Sequence, residues 1–150
     1  MTGGADGDGV ALRDGLPSPE DFIAFRAAAG WGRVAPEAAR RALAGSLFGI
    51  VAEEADGALA GFGRVVGDGA LNLYLQDVIV REDLRGVGLG ARLAGALAER
   101  AMARLAPGGA LGLLSAVAAE GLYARLGFAS RPAPGYGPGM SRFAPPPDEA

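Results

Sequence analysis

The sequence contains no cysteine, no histidine and no lysine; all 14 of its basic residues are arginine. Without cysteine there are no disulfides and no thiol nucleophile. Without histidine there is no Ser-His-Asp triad, and most zinc sites are excluded; no metal is expected. Acid–base chemistry is left to Asp, Glu, Tyr, backbone groups or water. Charge of one sign is scarce as well. The net charge is −3 and no basic run occurs, so binding to nucleic acid has no electrostatic support. No apolar run approaches the roughly 18 residues of a membrane-spanning helix. The opening "MTGGADGDGV" has neither the basic start nor the apolar stretch of a signal peptide. The expected location is the cytoplasm, with no membrane partner.

What is present is a core. Half of the 150 residues are hydrophobic, enough for one folded domain. Alanine and glycine are abundant, which fits a biased composition and weakens both as signals. The ends lack apolar periodicity and carry breaker residues. Residues 1–8 and 145–150 are therefore expected to be flexible tails around a single domain, 9–144.

Along that domain, "GVALRDG" (9–15) reads as a short first strand. A helix follows from Pro19, with Ser18 as N-cap and a stop at Gly30; a second begins at Pro36 and stops near Gly45. "LFGIVAEEA" and "ALAGFGRVV" flank Asp56-Gly57, a hairpin signal, and "LNLYLQDVIV" extends the meander. Leu89, Leu93, Leu97, Ala101 and Leu105 recur every four residues and mark an amphipathic helix. "ALGLLSAV" (110–117) reads as a strand buried on both faces. "AEGLYARLGF" reads as a short helix, and "GPGMSRFA" as a last edge strand. The expected fold is α/β in the broad sense: a mixed, mostly antiparallel central sheet with helices on both faces.

Gly86, Gly88 and Gly90 stand at alternate positions where the long helix must begin. Glycine costs roughly 0.5–1 kcal/mol relative to alanine inside a helix, so this turn needs backbone rather than side chains. A glycine turn between a strand and a helix presents unpaired N–H groups and the positive end of the helix dipole, which suits an anion. A P-loop is excluded by the absence of lysine. A dinucleotide-binding turn fits poorly, because the spacing is G-x-G-x-G and no acidic residue ends a second strand about 20 residues on. A turn rich in glycine through composition alone is the remaining alternative.

"RGVGLG" (85–90) resembles the R/Q-x-x-G-x-G/A signature of the GNAT superfamily of N-acetyltransferases, and "LYARLGF" (122–128) resembles that family's "FYxxxGF" segment. The resemblance spans roughly residues 46–130. The chain departs from the family in two places. Ala118 and Ala119 lie where many members have an Asn, which Ser115 would have to replace, and Glu82 stands where a Pro is common.

The resemblance implies acetyl-CoA as co-substrate. The amides of Gly86, Val87, Gly88, Leu89, Gly90 and Ala91 would cradle its pyrophosphate, and Arg85 would organise the turn or meet a phosphate oxygen. The fourth and fifth strands would splay. Val78, Ile79 and Val80 would then pair with the pantetheine arm, the Val78 amide polarising the thioester carbonyl. Tyr123 is the candidate general acid for the leaving thiolate. Asp77 is a candidate base or amine-orienting group; Glu53, Glu54 or water are the alternatives. The acceptor pocket is expected between the helix 1–helix 2 loop and the meander. Trp31, Arg33, Phe62, Arg64, Tyr74 and Gln76 are its candidate lining residues, with core packing the favoured reading for Phe62 and Tyr74. The implied activity is transfer of acetyl to a small-molecule amine. A peptide or protein N-terminal acetyltransferase, or a non-catalytic acyl-CoA-binding module, is the alternative, and a homodimer is compatible with either.

Overall fold

A computed structural model describes residues 9–146. Of the expected flexible ends, 1–8 and 147–150 lie outside the described residues. The chain divides into two compact units, the first running to Leu113 and the second from Leu114.

The first unit is built on a five-stranded sheet in the order β1-β2-β3-β4-β5. Its strands are β1 (Val10–Asp14), β2 (Phe48–Glu54), β3 (Leu59–Gly67), β4 (Asn72–Val80) and β5 (Ala110–Gly112). Strands β1 to β4 pair antiparallel, and β5 joins β4 in parallel. Helices α1 (Pro19–Ala28) and α2 (Pro36–Ala44) precede β2, and α3 (Leu89–Arg104) connects β4 to β5. Both early helices carry proline in the first turn, where the missing N–H has no partner to lose. The Ser18 hydroxyl caps α1 by accepting from the Asp21 N–H at 3.1 Å.

The two faces of the sheet are covered differently. Phe22 of α1 and Ala39 and Leu43 of α2 form one core with Val51, Phe62 and Ile79. On α3, Leu89, Leu93, Ala94, Leu97, Ala98 and Ala101 are buried, and the helix packs on β2, β3 and β4. Each such leucine contributes about 1.5–3 kcal/mol by leaving water. The first five residues of β2 are buried without alternation because both of its faces are covered.

The β3–β4 turn is held by one carboxylate. Asp68 accepts the N–H groups of Ala70, Leu71 and Asn72 at 2.8, 2.8 and 3.0 Å. These bonds, that of Asn72 foremost, hold its carboxyl well below the ordinary value of 3.8. A depressed carboxyl adds stability that is fully present above the unfolded value and is lost as pH falls. Asp68→Ala is therefore expected to lower Tm at neutral pH. The gap to the parent should narrow as thermal melts are taken below about pH 4. A gap independent of pH would assign the loss to turn conformation instead.

Two expected strands differ. The strand expected over 110–117 is only Ala110–Gly112, and none of its residues is buried. An apolar run makes a strand only where it finds a ladder partner, and the ladder with β4 stops at the Tyr74–Gly112 pair. "GPGMSRFA" forms no strand; among residues 114–146 the only pairing is an isolated bridge between Ala133 and Tyr136. Two glycines and a proline in eight residues work against one.

The second unit contains a 3-10 turn, Val117–Ala119, followed by α4 (Glu120–Arg125). Gly127, at φ +94°, ends the helix. Tyr123 and Phe128 pack edge to face, centroids 5.8 Å apart, so the "LYARLGF" segment folds onto itself.

Candidate active site

Beyond Tyr74, β4 has no partner in β5. The parallel ladder pairs Asn72, Leu73 and Tyr74 with Ala110, Leu111 and Gly112 and then stops, while β4 runs on to Val80. The two strands splay, and the far half of β4 has no ladder partner in β5. At its end the Arg81 N–H donates to Ala60 O on β3. By strand alternation the backbone groups of Val80 turn the other way, away from β3. The Arg85 side chain meets one of them, its Nε donating to Val80 O at 3.1 Å. Arg85 thereby ties the glycine turn to the strand.

The turn itself explains two of its three glycines directly. Gly86 and Gly88 have φ of +81° and +85°, a region that side-chain-bearing residues rarely adopt. A Cβ at either would meet nothing within 4 Å, so the requirement is conformational, and the space above the turn is open. Gly90 lies inside the first turn of α3. Gly88 is the N-cap and makes no side-chain capping bond, and no acidic residue occupies the first turn. The first helical hydrogen bond is Arg92 N–H to Gly88 O. The N–H groups of Leu89, Gly90 and Ala91 therefore have no intrahelical acceptor. An uncapped 16-residue helix with open space over its N-terminus can hold an anion.

The second feature is a bulge on β4. Leu75 pairs with Val65, and Ile79 with Phe62. Four residue steps on β4 thus match three on β3, and Gly63 alone faces Asp77 and Val78. Across the bulge the strand changes faces: Leu75 shares a face with Val65, and Ile79 shares the opposite face with Phe62. A Cβ on Gly63 would meet the end of the Leu97 side chain on α3 and approach Val78 Cγ2 to 3.2 Å, so the strand is closely packed here. Asp77 has φ +57° and is the one non-glycine residue with positive φ among the described residues. Aspartate tolerates that region better than most residues.

Asp77 is also the one buried charged residue among the described residues, its side chain fully inaccessible. Arg26, from the last turn of α1, donates Nη1 to one carboxylate oxygen. The other oxygen accepts Nε of Arg64 at 2.7 Å. Gln76 adds an Nε2 bond at 3.3 Å. Arg64 is anchored further by Nη1 bonds to Ala42 O and Ser46 Oγ at 3.1 and 3.2 Å. This cluster ties both early helices to the bulge.

The remaining candidates fall into separate groups. Trp31 is half exposed in the loop after α1, its ring 5.7 Å from the Arg26 guanidinium; Arg33 is exposed just beyond it. Phe62 is fully buried against Phe22 and Phe25 and packs the core instead of lining a pocket. Tyr74 is half-buried, and burial pushes its phenol up. Glu53 is paired with Arg13 and Glu54 with Arg81. In the second unit, Tyr123 is half-buried, and burial raises its phenol above the ordinary 10. Ser115 donates to Ala116 O at 2.7 Å, and the N-cap of α4, Ala119, makes no side-chain capping bond, so Ser115 does not supply the capping role of the missing Asn. Arg26 was not singled out from the sequence. In a final helical turn an arginine reads as complementing the helix dipole, and its partner lies 51 residues away. Among the described residues, no group of three or more His, Cys, Asp or Glu is placed to hold a metal, and no helix is long and apolar enough to cross a membrane.

The fold agrees with comparisons to known proteins. A model of the acetyltransferase (GNAT) domain matches residues 18–143. No curated protein matches the sequence. Among solved structures, a protein of unknown function from meticillin-resistant Staphylococcus aureus superposes with a TM-score of 0.79 at 26% identity, over 89% of this chain and 99% of that one. A GNAT-family protein from Xanthomonas campestris gives 0.69 at 27% identity, over 89% and 94%. The glucosamine-6-phosphate N-acetyltransferase of Arabidopsis thaliana shares the fold, with a TM-score of 0.62 at 20% identity over 89% and 97%. With the family's domain matched over most of its length, this chain belongs to the GNAT family of acetyltransferases.

Proposed function

We propose that the chain is an acetyl-CoA-dependent N-acetyltransferase that moves acetyl directly to a primary amine of a small molecule. The observation that carries this reading is the uncapped start of α3 behind Gly86 and Gly88, after the half of β4 that has no partner in β5. The pyrophosphate of acetyl-CoA fits that turn: free amides and a helix dipole face it, and no side chain fills the space. The pantetheine arm would run along β4 from Val80 toward the bulge, as a strand replacing β5.

That path brings the thioester to Val78, where the bulge interrupts the ladder. The Val78 amide is the donor assigned to the carbonyl oxygen. The amine nitrogen forms the new C–N bond to the carbonyl carbon, the C–S bond breaks, and coenzyme A leaves as a thiolate. Tyr123 gives the thiolate its hydroxyl proton and regains one from solvent. Its raised phenol keeps that proton at neutral pH. The amine releases its own proton to water. No covalent enzyme intermediate is needed, in keeping with a chain that has no cysteine or histidine. Both oxygens of Asp77 are engaged by arginines, so its role is to fix the bulge and the acceptor side of the site. Trp31 is the accessible residue on that side; Tyr74 and Gln76 are assigned to the acceptor from β4.

Calorimetry with acetyl-CoA tests the turn. Gly88→Glu is expected to weaken binding by about tenfold or more, because a carboxylate at a helix N-terminus competes with phosphate for the same positive end. Gly86→Ala, which adds strain but no charge, separates the two effects. Unchanged affinity in a cooperatively melting Gly88→Glu variant would remove the pyrophosphate assignment.

A further inference from the structure

The ionic cluster around Asp77 does not balance. Two guanidiniums, Arg26 and Arg64, share one buried carboxylate, and the other groups bonded to them are neutral: Ala42 O and Ser46 Oγ. One positive charge is left over in a largely desolvated place. Arg64 is not where it is available. That side chain is 11% exposed, and its Nε and Nη1 are both committed. Arg26 is different. Its side chain is 20% exposed, and only Nη1 donates to an acceptor among the described residues. Its Nε–H is buried with no partner. A buried donor left unmatched is costly, and more so on a charged group. The rings of Phe22 and Trp31 lie 5.5 and 5.7 Å from the guanidinium and hold it in place. Trp31 is 40% exposed, so this end of the cluster borders solvent.

We propose that the acceptor amine carries an anionic group, a carboxylate or a phosphate ester, and that Arg26 binds it. The inference rests on the acetyl-CoA reading, which places the thioester at Val78, the residue after Asp77. Arg26 is bonded to Asp77, the residue before Val78, so the acceptor's amine and anion belong on one small molecule. The guanidinium fork is well shaped for both oxyanions. The anion supplies the negative charge that the cluster lacks, while Asp77 keeps the fork oriented. Arg33, exposed on the same loop, adds a second cation to steer an anion inward.

The chain has a single tryptophan, so the fluorescence of Trp31 reports on this end of the site alone. The probes are β-alanine, ethanolamine phosphate and propanolamine, amines of similar size of which the last has no anion. β-Alanine, ethanolamine phosphate or both are expected to give a saturable change, with propanolamine at least about tenfold weaker. Stronger binding of the first or the second tells carboxylate from phosphate. Arg26→Gln should weaken the anionic probes by about tenfold or more, Arg26→Lys should recover part of that, and acetyl-CoA affinity should stay unchanged in both. Equal affinity for propanolamine, or no saturable response to either anion, overturns the proposal on the parent protein alone, whether or not the variants fold. Parent-like anion binding by a folded Arg26→Gln variant overturns it too. Gly88→Glu separates the two readings: it should weaken acetyl-CoA binding and keep the response to whichever anionic probe the parent binds. Lost anion preference with acetyl-CoA still bound defeats the Arg26 assignment only. Absent acetyl-CoA binding with the anion response intact defeats the reading of the turn only.

Discussion

Asp77→Asn is expected to destabilise the fold by about 3–5 kcal/mol, the usual loss when one partner of a buried ion pair is removed. Asparagine is the informative substitution. It tolerates the positive φ of this position and keeps the shape of the side chain, so the change isolates charge. Arg26 and Arg64 would be left facing each other without the carboxylate that both engage. Against a typical total stability of about 5–15 kcal/mol, that is a large share. Chemical denaturation should show a lower midpoint with an unchanged m-value. Adding Arg64→Met to Asp77→Asn should cost less than the sum of the two single changes, because the second removes a charge the first left unpaired. A variant within about 0.5 kcal/mol of the parent would show that the cluster contributes little to folding.

This residue marks where sequence reading ends. The helices starting at Pro19 and Pro36, the Asp56-Gly57 hairpin and the stripe on α3 were all legible, because each is set by near neighbours in the chain. The glycine turn was legible for the same reason: a strand, three glycines and a helix are contiguous. The bulge was not. Leu73, Leu75, Asp77 and Ile79 stand at alternate positions, and all four are buried. Only the register against β3 shows that the strand changes faces among them. The partners of Asp77 lie on α1 and β3, and no local pattern pairs them. The fifth and the absent last strand failed for a related reason. Strand length is decided by the ladder partner, and an apolar run of alanine, glycine and leucine does not contain that information. For Phe62 the position on β3 was read correctly, and only its face was open. Its pairing with Ile79 puts it in the core.

Tyr123→Phe is expected to lower kcat by about 10²–10⁴-fold, the usual contribution of a general acid, with acetyl-CoA affinity nearly unchanged. The sequence places this tyrosine in the family's "FYxxxGF" position, and burial holds its phenol protonated at neutral pH. Phenylalanine keeps the edge-to-face contact with Phe128, so packing is preserved. Stability should therefore stay close to the parent, and a large drop in Tm would identify a hydroxyl with a structural partner. The second readout is the leaving group. A thioester whose thiol is more acidic needs less protonation, so the loss in kcat should shrink with it. For the parent, a Tyr123 acid also predicts that kcat falls at high pH as the phenol ionises, above its ordinary range, and that the Phe variant lacks this limb. If the Phe variant turns over like the parent at saturating acceptor, and chemistry limits the parent, then solvent protonates the thiolate. Tyr123 would then be a packing residue of α4, while the turn at Gly86 to Ala91 would keep its assignment as the acetyl-CoA site.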